Sequence, residues 1–310
     1  MILNCGEALI DMVAAQTNDG QSAFVPHAGG AVMNTAVALG RLGVPSSFFA
    51  GLSTDMFAAK LKAHLAESHV SFELCPISDA PTTLAFVQLE NGQAKYAFFD
   101  EGTALRELGV NDIPSIPNNV DALFFGGISL AYGNCAESYE HMLLDHANSH
   151  VIMLDPNIRP GFIRDEASFR ARLNRMIAGC DIVKLSDEDL EWLSGSGDIS
   201  DLARAMLAEG PKLVLITQGS KGARAYHRDY EAFVPTVPVD LSNSDTIGAG
   251  DTFNAGVLAS LHDNGLLKKA AIAKLSQSDA ERALAYGMQT ASVTVSRKGA
   301  NPPWKYELNS

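Results

Sequence analysis

Short apolar runs alternate with helical patterns along this chain. Leu123-Phe-Phe125 runs into Gly126-Gly127, and Val151-Ile-Met-Leu154 runs into Asp155-Pro156. Asp181-Ile-Val-Lys-Leu185 runs into Ser186-Asp187-Glu188, and Leu213-Val-Leu-Ile216 into Thr217-Gln218-Gly219. Each run has the length of a strand buried on both faces, bounded by polar residues, glycine or proline. Helical periodicity fills the intervals at about 136–150, 166–179, 187–194 and 200–209. Strand–helix alternation of this kind predicts an α/β fold, a parallel sheet with helices on both faces. Ligands of such sheets bind at the carboxyl ends of the strands, where the polar residues just named fall. The first residues, Met1 to Met12, read as a strand that begins at once.

Two stretches depart from the alternation. Ala14 to Pro26 and Thr82 to Asp100 read as β-structure with no helix after them, and Asn91-Gly92 between alternating segments is a hairpin signal. A hairpin outside the main sheet predicts a small β lid, formed by about residues 12–26 and 82–101. There is no internal repeat.

Composition changes the picture mainly by exclusion. The 310 residues are 46% hydrophobic and 19% charged, enough to bury a large core without disulfide or metal staples. The net charge of -13 argues against a nucleic-acid or anionic-membrane binder, though not against a local phosphate site. No apolar run approaches a membrane span, and the N-terminus has no basic region before an apolar one, so a cytoplasmic location is expected. Cys5, Cys75, Cys135 and Cys180 show no CxxC spacing and are expected as reduced, half-buried thiols. His146 and His150 lie four apart on an expected helix, but no HExxH pattern or nearby cysteine supports a zinc site.

The segment Ser244 to Asn254, SDTIGAGDTFN, carries the chemistry. Gly248-Ala249-Gly250 precedes a helical pattern with Phe253, Val257, Leu258 and Leu261 on one face. A glycine turn opening a helix offers free N–H groups and the positive end of the helix dipole, which together make an anion site. Asp251 falls in the first turn, where the dipole is expected to keep its carboxylate ionised. Such a carboxylate can take a proton from a hydroxyl attacking a γ-phosphate. The segment is neither a P-loop nor G-x-G-x-x-G, since Phe253 stands at the third glycine. His227-Arg228-Asp229 imitates a protein-kinase loop, but Val234 replaces its metal-binding Asn, and the stretch reads as a surface turn. A second glycine pair, Gly29-Gly30, opens another helix with Asn34 in its first turns, and Asp11 follows the first strand. Asn34 and Asp11 offer an amide and a carboxylate suited to sugar hydroxyls, or else packing and turn-forming groups.

Together these segments resemble the PfkB family of carbohydrate kinases, the ribokinase family, over nearly the whole chain. The resemblance is carried by Asp245–Phe253, by Gly29-Gly30 through Asn34 to Leu42-Gly43, by Thr217-Gln-Gly-Ser-Lys-Gly222 and by Thr294–Pro302, in the family's order. It implies a ribokinase-like three-layer α/β/α fold, a single kinase domain over 1–310 with a small β-sheet lid, and ATP-dependent transfer to a sugar hydroxyl. It implies Asp251 as the base and Gly248, Ala249 and Gly250 as the anion hole; Asp11, Gly29, Gly30, Asn34 and Arg159 as sugar ligands; and Ser186, Thr217, Gly219, Ser220, Gly222 and Gly250 as the nucleotide site. Mg²⁺ is implied with ATP, and K⁺ in many members. Asp189, Asp245 and Ile247 are the implied metal positions. Two features depart from the family. Its Asn-x-x-Glu is replaced by Ser186-Asp187-Glu188-Asp189, and Pro303 stands where some members have Ser.

Within the family the chain is similar to bacterial fructokinases through Gly6–Asp11, Tyr96–Ala104 and Asp155-Pro-Asn-Ile-Arg-Pro160. That resemblance implies fructose as substrate, phosphorylated at C6. Kinases of 2-keto-3-deoxygluconate share the Gly-Glu start and Asp-x-Asn-x-Arg, but show an aromatic-Arg-x-x-Ser-Ala pattern where Phe99–Ala104 stands here. Nucleoside kinases fit less well, and a non-catalytic sugar sensor would have lost Asp251 or the glycines. Exposed lid strands suggest a homodimer through the lid.

Overall fold

In a computed structural model, which describes residues 1–90, 93–239 and 245–308, the alternation becomes two separate sheets. The Asn91-Gly92 turn and Ser244 lie outside the described residues. The first part of the chain holds β1 (Ile2–Cys5), β2 (Leu9–Gln16), β3 (Ser22–Gly29), α1 (Ala31–Arg41), β4 (Ser46–Phe49), β5 (Leu52–Ser53), α2 (Met56–Glu67), β6 (Val70–Ser71), β7 (Ile77–Ser78), β8 (Leu84–Glu90), β9 (Gln93–Phe99) and α3 (Ala104–Glu107). The rest holds β10 (Ala122–Gly126), α4 (Gly133–His146), β11 (Val151–Asp155), α5 (Glu166–Gly179), β12 (Ile182–Ser186), α6 (Asp187–Ser194), α7 (Ile199–Ala208), β13 (Leu213–Thr217), β14 (Gly222–His227), β15 (Tyr230–Pro235), α8 (Ala249–Asp263), α9 (Lys269–Ile272) and α10 (Gln277–Val295).

The main sheet runs β15-β14-β13-β12-β11-β10-β1-β4-β6. Pairing is parallel from β13 through β6 and antiparallel only where β14 and β15 extend the edge. Its central parallel strands are mostly apolar and buried because both faces are covered. Ile2, Phe124, Met153, Ile182 and Leu215 point into one core with α1, α2, α8 and α10. Their neighbours Leu3, Phe125, Leu154, Val183 and Ile216 point into the other, with α4, α5, α6 and α7. Each fully buried side chain of this size contributes about 1.5–3 kcal/mol, so the two cores make a stiff platform. The expected three-layer α/β/α architecture is present, and the four predicted strands all form.

The small sheet, ordered β3-β2-β8-β9, is apart from the main one. Its first strand begins at Leu9, earlier than residue 12, so Asp11 lies within β2 opposite His27 and Ala85. The N-terminal segment is therefore two strands, broken at Gly6. Three helices fall within a residue of expectation. The fourth, α4, starts at Gly133 and ends at His146, because Gly133 takes a left-handed φ of 80° that turns the chain into the helix and His150 lies in the following turn. The His146 and His150 rings meet edge-on, with His150 bonded to Ser149. The four thiols are free and fully buried rather than half-buried. His227 is likewise buried, stacked on Tyr230, while only Arg228 and Asp229 of that turn are exposed. No described helix is long and apolar enough to cross a membrane.

Candidate active site

The carboxyl ends of β11, β12 and β13 and the N-termini of α1 and α8 open on one cleft of about 900 Å³. This is the crevice a parallel sheet offers its ligands, and its volume suits a nucleotide with a small second substrate.

At its base, α8 begins at Gly248, whose φ of 76° is left-handed. A Cβ there would also meet the Cβ of Ala300 at 2.7 Å, so only glycine makes the turn. The turn brings Gly248, Ala249, Gly250 and Asp251 to the cleft wall, with the Ala249 amide donating to the Thr246 carbonyl at 3.2 Å. Asn34 of α1 donates from Nδ2 to Asp251 Oδ2 at 2.9 Å, and Thr35 Oγ1 donates to the Asp251 carbonyl at 3.1 Å. Two glycine-opened helices 217 residues apart thus meet at one carboxylate.

Asp251 differs from its sequence expectation in one respect. The dipole does not keep it fully ionised; burial lifts its pKa to about 7, opposed by Asn34 and Lys184 and helped by Asp155 and Glu7. Desolvation outweighs the dipole because the side chain is only 7% exposed. Asp11, on the small sheet at the cleft's other wall, is raised to about 6, again by burial. Its carboxylate lies where a Cβ on Gly29 would be, so Gly29 makes room for Asp11 and does not itself line the cleft.

The remaining expected residues separate by position. Gly30, Asn34, Arg159, Ser186, Thr217, Gly219, Ser220, Gly222, Ile247 and Ala249 line the cleft. Arg159 is exposed and donates to the Ile158 carbonyl. Asp245 lies behind the wall, accepting from the Ile247 and Gly299 amides and so clipping two loops together. Ser186 and Asp189 form a capping box on α6, and Asp189 also accepts from the Ile158 amide. Both side chains thus satisfy the helix end while lining the cleft together with Asp187 and Glu188.

Several cleft groups had escaped the motifs. Buried Glu7 accepts the amides of Ala31 and Ser129, fixing the start of α1. Lys184, buried in β12, donates to Asp155 Oδ2 at 2.9 Å, as does Asn254 at 2.7 Å. Burial works against the Lys184 charge, yet Asp155 beside it, with Asp189 and Asp251, holds its pKa above the ordinary lysine value. The available signal was a charged residue inside an apolar strand. Trp192, Phe98 and Met288 add apolar wall.

The model of the "pfkB family carbohydrate kinase" matches residues 1–306. The chain belongs to this family. As a pfkB kinase it is an ATP-dependent carbohydrate kinase. It is 51% identical over 277 residues to a fructokinase of Rhizobium leguminosarum bv. trifolii, covering 89% of this chain and 84% of that protein. The fructokinase of Xylella fastidiosa with bound ATP superposes with a TM-score of 0.88 at 28% identity, covering 99% of this chain and 97% of that one. A Vibrio cholerae fructokinase double mutant with fructose, ADP and potassium ion superposes with a TM-score of 0.83 at 25% identity, covering 96% and 93%. As in these pfkB relatives, the ribokinase-like architecture spans the chain.

Proposed function

We propose that the protein is a fructokinase that transfers the γ-phosphoryl group of ATP to the C6 hydroxyl of fructose. The observation that carries the mechanism is Asp251 in the first turn of α8, held by Asn34 beneath the Gly248–Gly250 amides. Identity of 51% to a fructokinase supports the sugar.

In this reading Asp251 removes the hydroxyl proton as the oxygen attacks, and the α8 amides stabilise charge on the phosphoryl oxygens. A base with a pKa of about 7 is matched to that task near neutral pH. Asp11, Gly30 and Asn34 hold the sugar hydroxyls, with Gly29 seating Asp11, and Arg159 reaches the sugar or its new phosphate. Thr217, Gly219, Ser220 and Gly222 hold the nucleotide, with Ser186 at the start of α6. The small sheet serves as a lid that excludes water.

The donor set fits two cations. Asp187 and Glu188 offer hard oxygens to Mg²⁺, which would neutralise phosphate charge; Asp189, committed to backbone amides, acts by capping α6. Asp245 and the Ile247 carbonyl fit K⁺ on the loop entering the anion hole, where it would steady that loop. Four free thiols support a reducing compartment, the cytoplasm.

The test is ADP release with Mg-ATP against fructose, 2-keto-3-deoxygluconate, ribose, tagatose and adenosine. Turnover with fructose well above the others is expected. A better 2-keto-3-deoxygluconate substrate would overturn the sugar and leave the kinase chemistry. Sugar binding without turnover would identify a sensor.

A further inference from the structure

We propose that Lys184 is a catalytic residue of the phosphoryl transfer, its ammonium touching the transferring group beside Gly250, and that Asp155 and Asn254 position it. The inference rests on reading the Gly248–Gly250 turn as the anion hole.

The geometry is specific. A Cβ built on Gly250 would lie 3.2 Å from Lys184 Nζ, so the ammonium sits against the start of α8. Its side chain is 6% exposed, and Asp155 accepts one of its three N–H donors at 2.9 Å. The other two have no partner among the described residues. Asp155 is itself fixed by Asn254 from α8, so the three groups tie β11 and β12 to the anion-hole helix.

Charge makes the stronger argument. The cleft is lined by Glu7, Asp11, Asp187, Glu188, Asp189 and Asp251, with the buried Asp155 against Lys184. Its lining cations among the described residues are Arg159, exposed at the rim, and Lys184, buried at the base. A polyanionic γ-phosphoryl group arriving beside so many carboxyls needs a fixed cation, and Lys184 is the one in place. A purely structural role is poorly served by this arrangement, since a buried ion pair is rarely more stabilising than packed apolar residues. In the step, the hydroxyl proton passes to Asp251 while the oxygen bonds to the γ-phosphorus. The bond to the β–γ bridging oxygen breaks and ADP leaves. Lys184 keeps its protons throughout and supplies charge.

Three variants decide it: Lys184→Met, the neutral pair Asp155→Asn/Lys184→Met, which avoids stranding a buried carboxylate, and Asp251→Asn as reference. Thermal melts identify which are folded, and the neutral pair carries the test if Lys184→Met alone is not. Expected is a kcat loss of about 100-fold or more in either Lys184 variant. The fructose dissociation constant by calorimetry should stay within about twofold of native. The β,γ-imido analogue of ATP should lose more affinity than ADP, because only it carries the γ group. A folded Lys184 variant with kcat within about fivefold of native, or equal loss for ADP and the imido analogue, overturns the proposal. If Asp251→Asn is then inactive, the anion-hole reading stands without Lys184. If Asp251→Asn also turns over normally, that reading falls as well.

Discussion

In the proposed mechanism Asp251 serves as the base because burial raises its pKa, and the same burial makes it a thermodynamic liability. With a native pKa of about 7, kcat/KM for fructose should rise with pH up to about 7 and level off above it. Below that it should fall about tenfold per unit. A profile flat from pH 5.5 to 8 would remove Asp251 as the base. Asp251→Asn keeps the shape and the Asn34 contact, and should lower kcat by about a thousandfold or more. Stability should move the other way. A carboxyl raised on folding favours the native state while protonated, so its contribution is present below the unfolded value and is lost as pH climbs through the native one. Asp251→Asn should therefore melt a few degrees above the native protein at pH 8, with the gap narrowing towards pH 5, by scanning calorimetry. Asp251 was legible because its glycines announce it. Lys184 and Glu7 were not: the charge of Lys184 inside an apolar strand is a faint signal, Glu7 sits between two strands, and their partners, Asp155 and the Ala31 and Ser129 amides, come from elsewhere in the chain.

Elements were read well where their ends carry chemistry. Helices α5 and α6 start where Asp165 and Ser186 cap them, and both were predicted to the residue. Helix α4 has no side-chain cap, so its start was displaced inward to the first clear apolar position. The capping box on α6 gives an element-level test: Ser186→Ala should cost about 1 kcal/mol, read as a shift in urea midpoint, and should weaken ATP more than fructose. Gly248→Ala would force a left-handed residue against Ala300, costing about 1–2 kcal/mol of backbone strain. Because that strain falls on the amides themselves, kcat should drop further than stability suggests.

At the scale of the molecule, the parallel sheet was legible from alternation and the lid from the stretches that break it, but the N-terminus was not: its apolar run reads as one strand, although β1 belongs to the main sheet and β2 to the small one. The small sheet is anchored by the buried Asp100–Arg106 pair, 2.7 Å apart, at the foot of β9. Phe24, Phe86 and Phe99 meet edge-on across it, and Phe24 and Phe99 are 45% and 62% exposed. That aromatic face is the surface proposed to meet a second copy. Light scattering should give a dimer for the native chain and a monomer for Phe24→Asp/Phe99→Asp; a native monomer would remove the proposal.

The position of β1 has a consequence for how the chain is made. Synthesised before both its partners, it lies between β4, which follows at Ser46, and β10, whose Ala122 pairs with Ile2. A nascent chain therefore carries β1 with one open hydrogen-bonding edge until β10 has followed it, and helix α8 comes later still. Such an edge invites wrong partners. Expression of this enzyme should accordingly depend on chaperones that shield growing chains, far more than the stability of its finished form would suggest.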